Sequence, residues 1–338
     1  MASNLLKIHI QSTNITPPIS QPKIQFNYLK NPSLTTLFHN NNKPLKSFNS
    51  PKIKVFAINS SLSSSPTPPT SKEDAIFQAK TSLSAALQKP LNNPKLTGKI
   101  KKQKQARFRV EIPVIDDSPE SLAQLAFEIF GNNQVKRKSS TVKMLLIWPN
   151  SITLGIGIKV FQGISNGGIE HVELNSVMTV DNRILNSADV AVFLAPNSSQ
   201  LTVMKLVGDN LDPRPLVLFN PKWAFEDEEG FGDSSNFVGS FDVIYAFLGL
   251  EVRGLLSKRK GVVFKFVRDG VVSGENWNVL VEEEEGNRLK VVSRFKTRPS
   301  IIEVENVLYN LMAVNSPITK SAKFLKDLVS NVTGKKSS

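Results

Sequence analysis

The sequence predicts an α/β domain: a mostly parallel sheet covered by helices on both faces, extended by antiparallel strands late in the chain. Two observations carry this. Three short apolar runs, Val142–Trp148, Val190–Ala195 and Leu216–Phe219, alternate with segments of helical pattern. Continuous apolar runs of this length suit strands buried on both faces. Further on, Gly261–Val267, Asn278–Val281 and Leu289–Phe295 read as strands joined by short turns, the pattern of a hairpin or meander. Together they describe a three-layer, Rossmann-like architecture with a late antiparallel extension.

The elements follow in order. Ser71 can cap a helix in which Ala75, Ile76, Ala79, Leu83, Ala86 and Leu87 recur at helical spacing, and Asn92-Asn93-Pro94 stops it. Phe108 to Pro113 alternates apolar and polar residues like a strand. Ser118-Pro119-Glu120 starts a second helix, with Leu122, Leu125, Ala126, Ile129 and Phe130 as its apolar stripe and Gly131 beyond its end. Helices fit around Thr153–Ile164 and Gln200–Val207, and a strand near Val172–Val177. Pro299-Ser300-Ile301-Ile302-Glu303 is a capping-box start for a helix burying Val304, Val307, Leu308 and Leu311. Ser316-Pro317 would open a last short helix. The longest apolar run noted, Val243–Leu250, is far below the ~20 residues that cross a bilayer.

Composition narrows the function. The 338 residues carry a formal charge of +13, no cysteine and three histidines. Without cysteine there are no disulfides, thiolate metal sites or cysteine nucleophiles. Residues 1–72 hold no acid, many serines and asparagines, and scattered lysines, the composition of an organelle transit peptide. Arg107 is the first arginine, which favours the plastid over the mitochondrion. Val55-Phe56-Ala57 resembles a plastid processing site. The expected organisation is a chloroplast tag over 1–57, a Ser/Pro-rich linker over 58–72, one α/β domain over 73–331, and a tail over 332–338. Removing 1–57 takes away seven lysines and lowers the charge to +6.

Candidate chemistry is sparse. Gly155-Ile156-Gly157 with Gly163 departs from the dinucleotide spacing, because Val160 stands where a glycine is needed; close helix packing explains these glycines better. The junctions Pro149-Asn150-Ser151, Pro196-Asn197-Ser198 and Asn220-Pro221 each follow a buried strand. In a parallel sheet these ends share one edge, where ligands bind. Asn150, Ser151, Asn197, Ser198 and Asn220 are therefore a possible ligand edge for a phosphorylated metabolite or nucleotide, although helix capping explains the same residues and leads. Glu170-His171-Glu173 sets carboxylates beside a histidine, which is read first as a solvated turn residue and second as an oriented base. The acidic runs Glu226–Glu229 and Glu282–Glu285 read as solvated turns. No catalytic residue, cofactor or metal is expected.

A basic segment, Lys99, Lys101, Lys102, Lys104, Arg107 and Arg109, contains no acid, and Lys136-Arg137-Lys138 and Lys258-Arg259-Lys260 add to it. A solvated linker explains it first. Contact with an anionic thylakoid lipid surface or an acidic protein comes second, and RNA third for want of interleaved aromatics.

Several motifs together resemble a plant and cyanobacterial family of unknown function that includes a Low PSII Accumulation type photosystem II assembly factor. They are Arg107-Phe108-Arg109-Val110-Glu111-Ile112-Pro113, Pro196-Asn197, Val217-Leu218-Phe219-Asn220-Pro221-Lys222-Trp223, the lone Trp277, and Arg298-Pro299. Trp148-Pro149-Asn150 departs from the aspartate expected in many relatives after that proline. The resemblance implies a chloroplast protein, in the stroma or peripheral to thylakoids, whose partners are thylakoid or photosystem assembly proteins.

Overall fold

The structure, a computed structural model, describes residues 25–28, 67–92, 104–113, 116–131, 135–138, 140–163, 168–177, 182–253, 258–283 and 286–315. Lys99, Lys101 and Lys102, the helix expected after Ser316 and the tail over 332–338 lie outside them. Twelve strands and seven α-helices are assigned among the described residues. They are β1 (Gln25–Tyr28), α1 (Lys72–Asn92), β2 (Arg107–Glu111), α2 (Pro119–Phe130), β3 (Lys136–Arg137), β4 (Ser140–Thr141), β5 (Met144–Trp148) and α3 (Ser151–Phe161). Then come β6 (Ile169–Glu173), α4 (Asn182–Ser187), β7 (Val190–Leu194), α5 (Leu201–Leu211), β8 (Leu216–Phe219) and α6 (Ser235–Gly239). The chain closes with β9 (Asp242–Arg253), β10 (Lys258–Phe266), β11 (Trp277–Glu283), β12 (Gly286–Phe295) and α7 (Ile301–Asn315).

The main sheet runs β6-β5-β7-β8-β2-β9-β10-β11-β12. Neighbours from β6 to β9 are parallel, and those from β9 to β12 antiparallel. The predicted architecture is therefore present, mixed parallel and antiparallel in the predicted order. β1 lies within the stretch expected to be an import tag, and pairs antiparallel with 250–253 of β9. The three apolar runs contain β5, β7 and β8, and every residue of these strands is buried. The strand expected at Val172–Val177 lies instead at Ile169–Glu173, and it ends there because Leu174–Ser176 winds into a 3₁₀ turn.

Two cores divide along the period-two alternation of the strands. Met144, Leu146 and Trp148 of β5 face one core under α1, α2 and α3, while Leu145 and Ile147 face the other under α4, α5 and α6. A third cluster, including Val263, Val279, Val304 and Leu308, packs α7 on the antiparallel strands. The local signals hold at helix ends. Ser118 accepts from the Ser121 amide with Pro119 in the first turn, and Ser300 and Glu303 reciprocate as a capping box.

β5 leads through α3 to β6 on one side, and the chain then returns to β7 on the other. That reversal makes the carboxyl ends of β5 and β7 the topological switch point. Glu111, the last residue of β2, pairs with Ala246. The stretch 247–253 of β9, with its antiparallel partners, therefore projects roughly 20 Å beyond the carboxyl end of β2 as a wing.

The glycines of α3 are helical, as expected, and one of them is indispensable. A Cβ on Gly157 would stand 2.2 Å from the Trp148 indole, whereas one on Gly155 meets nothing within 4 Å. Gly157→Ala should cost about 1–3 kcal/mol through overpacking, and Gly155→Ala should gain up to about 1 kcal/mol from helix propensity. Urea denaturation of the two variants checks the opposite signs.

Candidate functional site

The carboxyl edge is the natural place for a site, and the structure brings its predicted residues to it. The Oδ1 oxygens of its three asparagines are already committed. Asn150 Oδ1 accepts from the Thr153 amide at 2.9 Å, and Thr153 Oγ1 donates to the Asn150 carbonyl at 2.9 Å. Asn197 Oδ1 accepts from Ser199 Oγ at 2.6 Å. Gln200, buried at the start of α5, donates to the Pro149 carbonyl at 2.7 Å and accepts from the Asn197 amide at 3.1 Å. One side chain thus staples the two sides of the switch point together. Asn220 adopts φ 46° and uses both ends of its amide on Ile112, accepting from its N–H and donating to its carbonyl at 2.8 Å each. It acts as an extra rung between the ends of β8 and β2. Ser151 and Ser198 are exposed on the same edge.

Beneath this edge lies a cluster that residue-by-residue reading missed. Alternation marks β2 as a strand, but its polar set does not face water: Arg109 is 2% and Glu111 7% exposed. Arg109 donates through Nε and Nη2 to Glu111 Oε1, at 3.1 and 2.7 Å, and through Nη1 to Glu228. Glu228 also accepts from Trp223 Nε1 at 3.0 Å. Arg298 donates to Glu111 Oε2 at 2.9 Å, and its guanidinium stacks 4.3 Å from the centre of Phe225 and 5.4 Å from that of Trp277. Burial alone would raise the Glu111 carboxyl, yet Arg109 and Arg298 outweigh it and hold it below its ordinary value. Burial likewise opposes the Arg109 charge, and the two carboxylates overcome it.

Two expectations change here. Arg109 does not offer its charge to a partner, because it is spent inside the fold. Arg107 is half-buried, bonded to Gln105 and Ser240 and lying over Phe237, so of the predicted basic contacts that are described only Lys104 stands exposed. The acidic run after β8 is a solvated turn at Glu226, Asp227 and Glu229 but not at Glu228, which faces Arg109.

His171 also departs from the solvated-turn reading. It sits in β6, accepts at Nδ1 from Trp148 Nε1 at 3.0 Å, and meets the edge of Phe161. Burial lowers its pKa to about 4, so at neutral pH it is an uncharged acceptor.

The motifs that suggest a family converge on this centre. Arg109 and Glu111, Trp223, Trp277 and Arg298 come from four separate segments and meet around one ion network. Residues 69–306, more than two thirds of the chain, match the family described as a domain of unknown function, DUF1995. The chain belongs to the DUF1995 family. No curated protein matches it significantly. The match begins just ahead of α1 and ends within α7, so it contains every member of the buried network.

Two measurements test these assignments. Glu228→Leu, which strands Arg109 beside a single carboxylate, should cost about 3–5 kcal/mol in denaturant unfolding. The His171 pKa is lower in the folded chain than in the unfolded one, so acid favours unfolding. That contribution is intact above pH 6.5 and is lost as pH falls toward 4. His171→Gln keeps an acceptor for Trp148 and should flatten the melting temperature against pH in this window.

Proposed function

We propose that this DUF1995 protein is a non-enzymatic assembly factor of the chloroplast, which assists biogenesis of a photosynthetic complex, such as a photosystem, by binding its components transiently. The observation that carries the reading is the state of the carboxyl edge. A ligand-binding edge keeps its polar groups free for its ligand, whereas here Gln200 and Asn220 spend their amide donors on backbone carbonyls, and Asn150 and Asn197 turn their Oδ1 oxygens to the Thr153 amide and the Ser199 hydroxyl. The charges below the edge cancel in pairs, two guanidiniums against two carboxylates. Among the described residues no helix is long and apolar enough to cross a membrane, in keeping with a peripheral partner. Large apolar side chains stand exposed on α1, α3 and α7, with Phe77 at 69%, Ile152 at 69% and Ile302 at 68%. Surfaces of this kind can touch a subunit before its final neighbours arrive. The acid-free amino terminus and the family resemblance support the chloroplast as the compartment.

The rival reading is an enzyme or sensor for a phosphorylated metabolite, using Ser151 and Ser198 at the switch point, where both hydroxyls are exposed. Thermal-shift measurements with nucleotides and sugar phosphates separate the two. Under the assembly reading none raises the melting temperature, whereas a ligand at 100 times its Kd would add about 2.7 kcal/mol. A plant lacking the protein should accumulate less of a photosynthetic complex with its subunit synthesis unchanged. Normal assembly in that plant would overturn the proposal.

A further inference from the structure

The amino edge of the parallel sheet gathers exposed lysines, with Asp209 exposed near the end of α5 and Asp242 exposed at the start of β9 beside them. Met144 pairs with Val190, Ala191 with Leu216, and Leu216 with Arg107, so the first residues of β5, β7, β8 and β2 lie in one row. Lys143 immediately precedes that row in β5, and Lys104 lies just ahead of β2. The β3–β4 hairpin, which carries Lys136 and Lys138, is tied to the last turn of α1. Asn92 Nδ2 donates to the Lys136 carbonyl at 3.1 Å, and Asn92 Oδ1 accepts from the Lys138 amide at 3.0 Å. Lys89 lies in that same turn. All five lysines are exposed, and no ammonium among them has an ion-pair or hydrogen-bond partner among the described residues. Arg137, between two of them, is instead paired with Asp189 at 2.5 Å. The opposite edge is acidic, with Asp116, Glu120, Glu226 and Asp227 exposed at the ends of β2 and β8.

We propose that this amino edge is a docking face for an anionic lipid surface, with Lys89, Lys104, Lys136, Lys138 and Lys143 meeting headgroup phosphates. Three observations select lipid over other polyanions. The unpaired cations are all lysines, compact point charges suited to a diffuse field, while arginine is the residue of bidentate phosphate recognition. Segments 86–92, 104–106 and 135–143 contain no aromatic residue, so the face has no platform for stacking nucleic-acid bases. Its cations are also spread over the start of β5, the segment before β2, the β3–β4 hairpin and the end of α1 rather than gathered in one pocket. With the amino edge down, the acidic carboxyl edge and its wing point away from the membrane and stay open to other proteins. The inference deepens the assembly reading, since it gives that activity a place and an orientation.

The test uses the full chain with vesicles of phosphatidylglycerol and phosphatidylcholine, against phosphatidylcholine alone. The protein should bind only the anionic vesicles and leave them as salt rises. A lysine near an anionic surface contributes roughly fivefold in affinity, so K136Q/K138Q/K143Q should weaken binding about 100-fold. The melting temperature should not change, because these ammoniums make no internal contacts. Hydrogen exchange on the vesicle should slow at 136–143 and not at 195–198, which separates this face from attraction by the lysines of residues 1–57. Failure to bind, equal binding by the variant, binding without protection at 136–143, or preference for RNA or an acidic protein would each overturn the proposal. None of those results bears on complex assembly in the plant lacking the protein, so the assembly reading is judged apart.

Discussion

Two guanidiniums and two carboxylates, withdrawn from water together, hold this fold in register. Arg109 and Glu111 come from the central strand β2, Glu228 from the loop after β8, and Arg298 from the connection into α7. A buried ion pair gains little net stability over an apolar one, because desolvation consumes most of the attraction. What it imposes is geometry: a misplaced partner leaves a bare charge in the interior. Here that penalty governs how the antiparallel wing and α7 dock on the parallel body. Trp223, Phe225 and Trp277 supply the low-dielectric wall and stack on or bond to the charges.

The same economy shapes the carboxyl edge. Asn220 and Gln200 bridge strand ends that water or a ligand would otherwise have to satisfy. The switch point, which in open α/β sheets is the usual seat of a ligand, is thereby braced from within. A braced edge can present a fixed outline to a protein partner, and its acidic rim contrasts with the lysine-lined amino edge. In the proposed reading, shape at one end and charge at the other would divide the work of recognition between two ends of one sheet.

The composition of this sheet also explains the neutral histidine. β6 lies at the edge, yet His171 sits under Phe161 and beside Trp148. An edge strand with one face covered gives a histidine an apolar setting and a single donor. Gly157 lets the indole approach α3 closely enough to bring its N–H to that ring.

Much of the order of strands and helices was legible because each is a local matter, although β9 showed only as an apolar run and α4 and α6 left no signal. Wholly apolar runs mark β5, β7 and β8, capping residues mark α2 and α7, and alternation marks β2. Helix capping at Asn150 was legible for the same reason, since its partner is three residues away. Arg109 and Glu228 were not, because they are 119 residues apart in the chain and each alone looks like a solvated charge. Hydropathy and capping are written within a few residues, so the chain itself fixed its secondary elements and fold class. Which charges would be buried depends on which distant segments meet, and only the assembled sheet decided that.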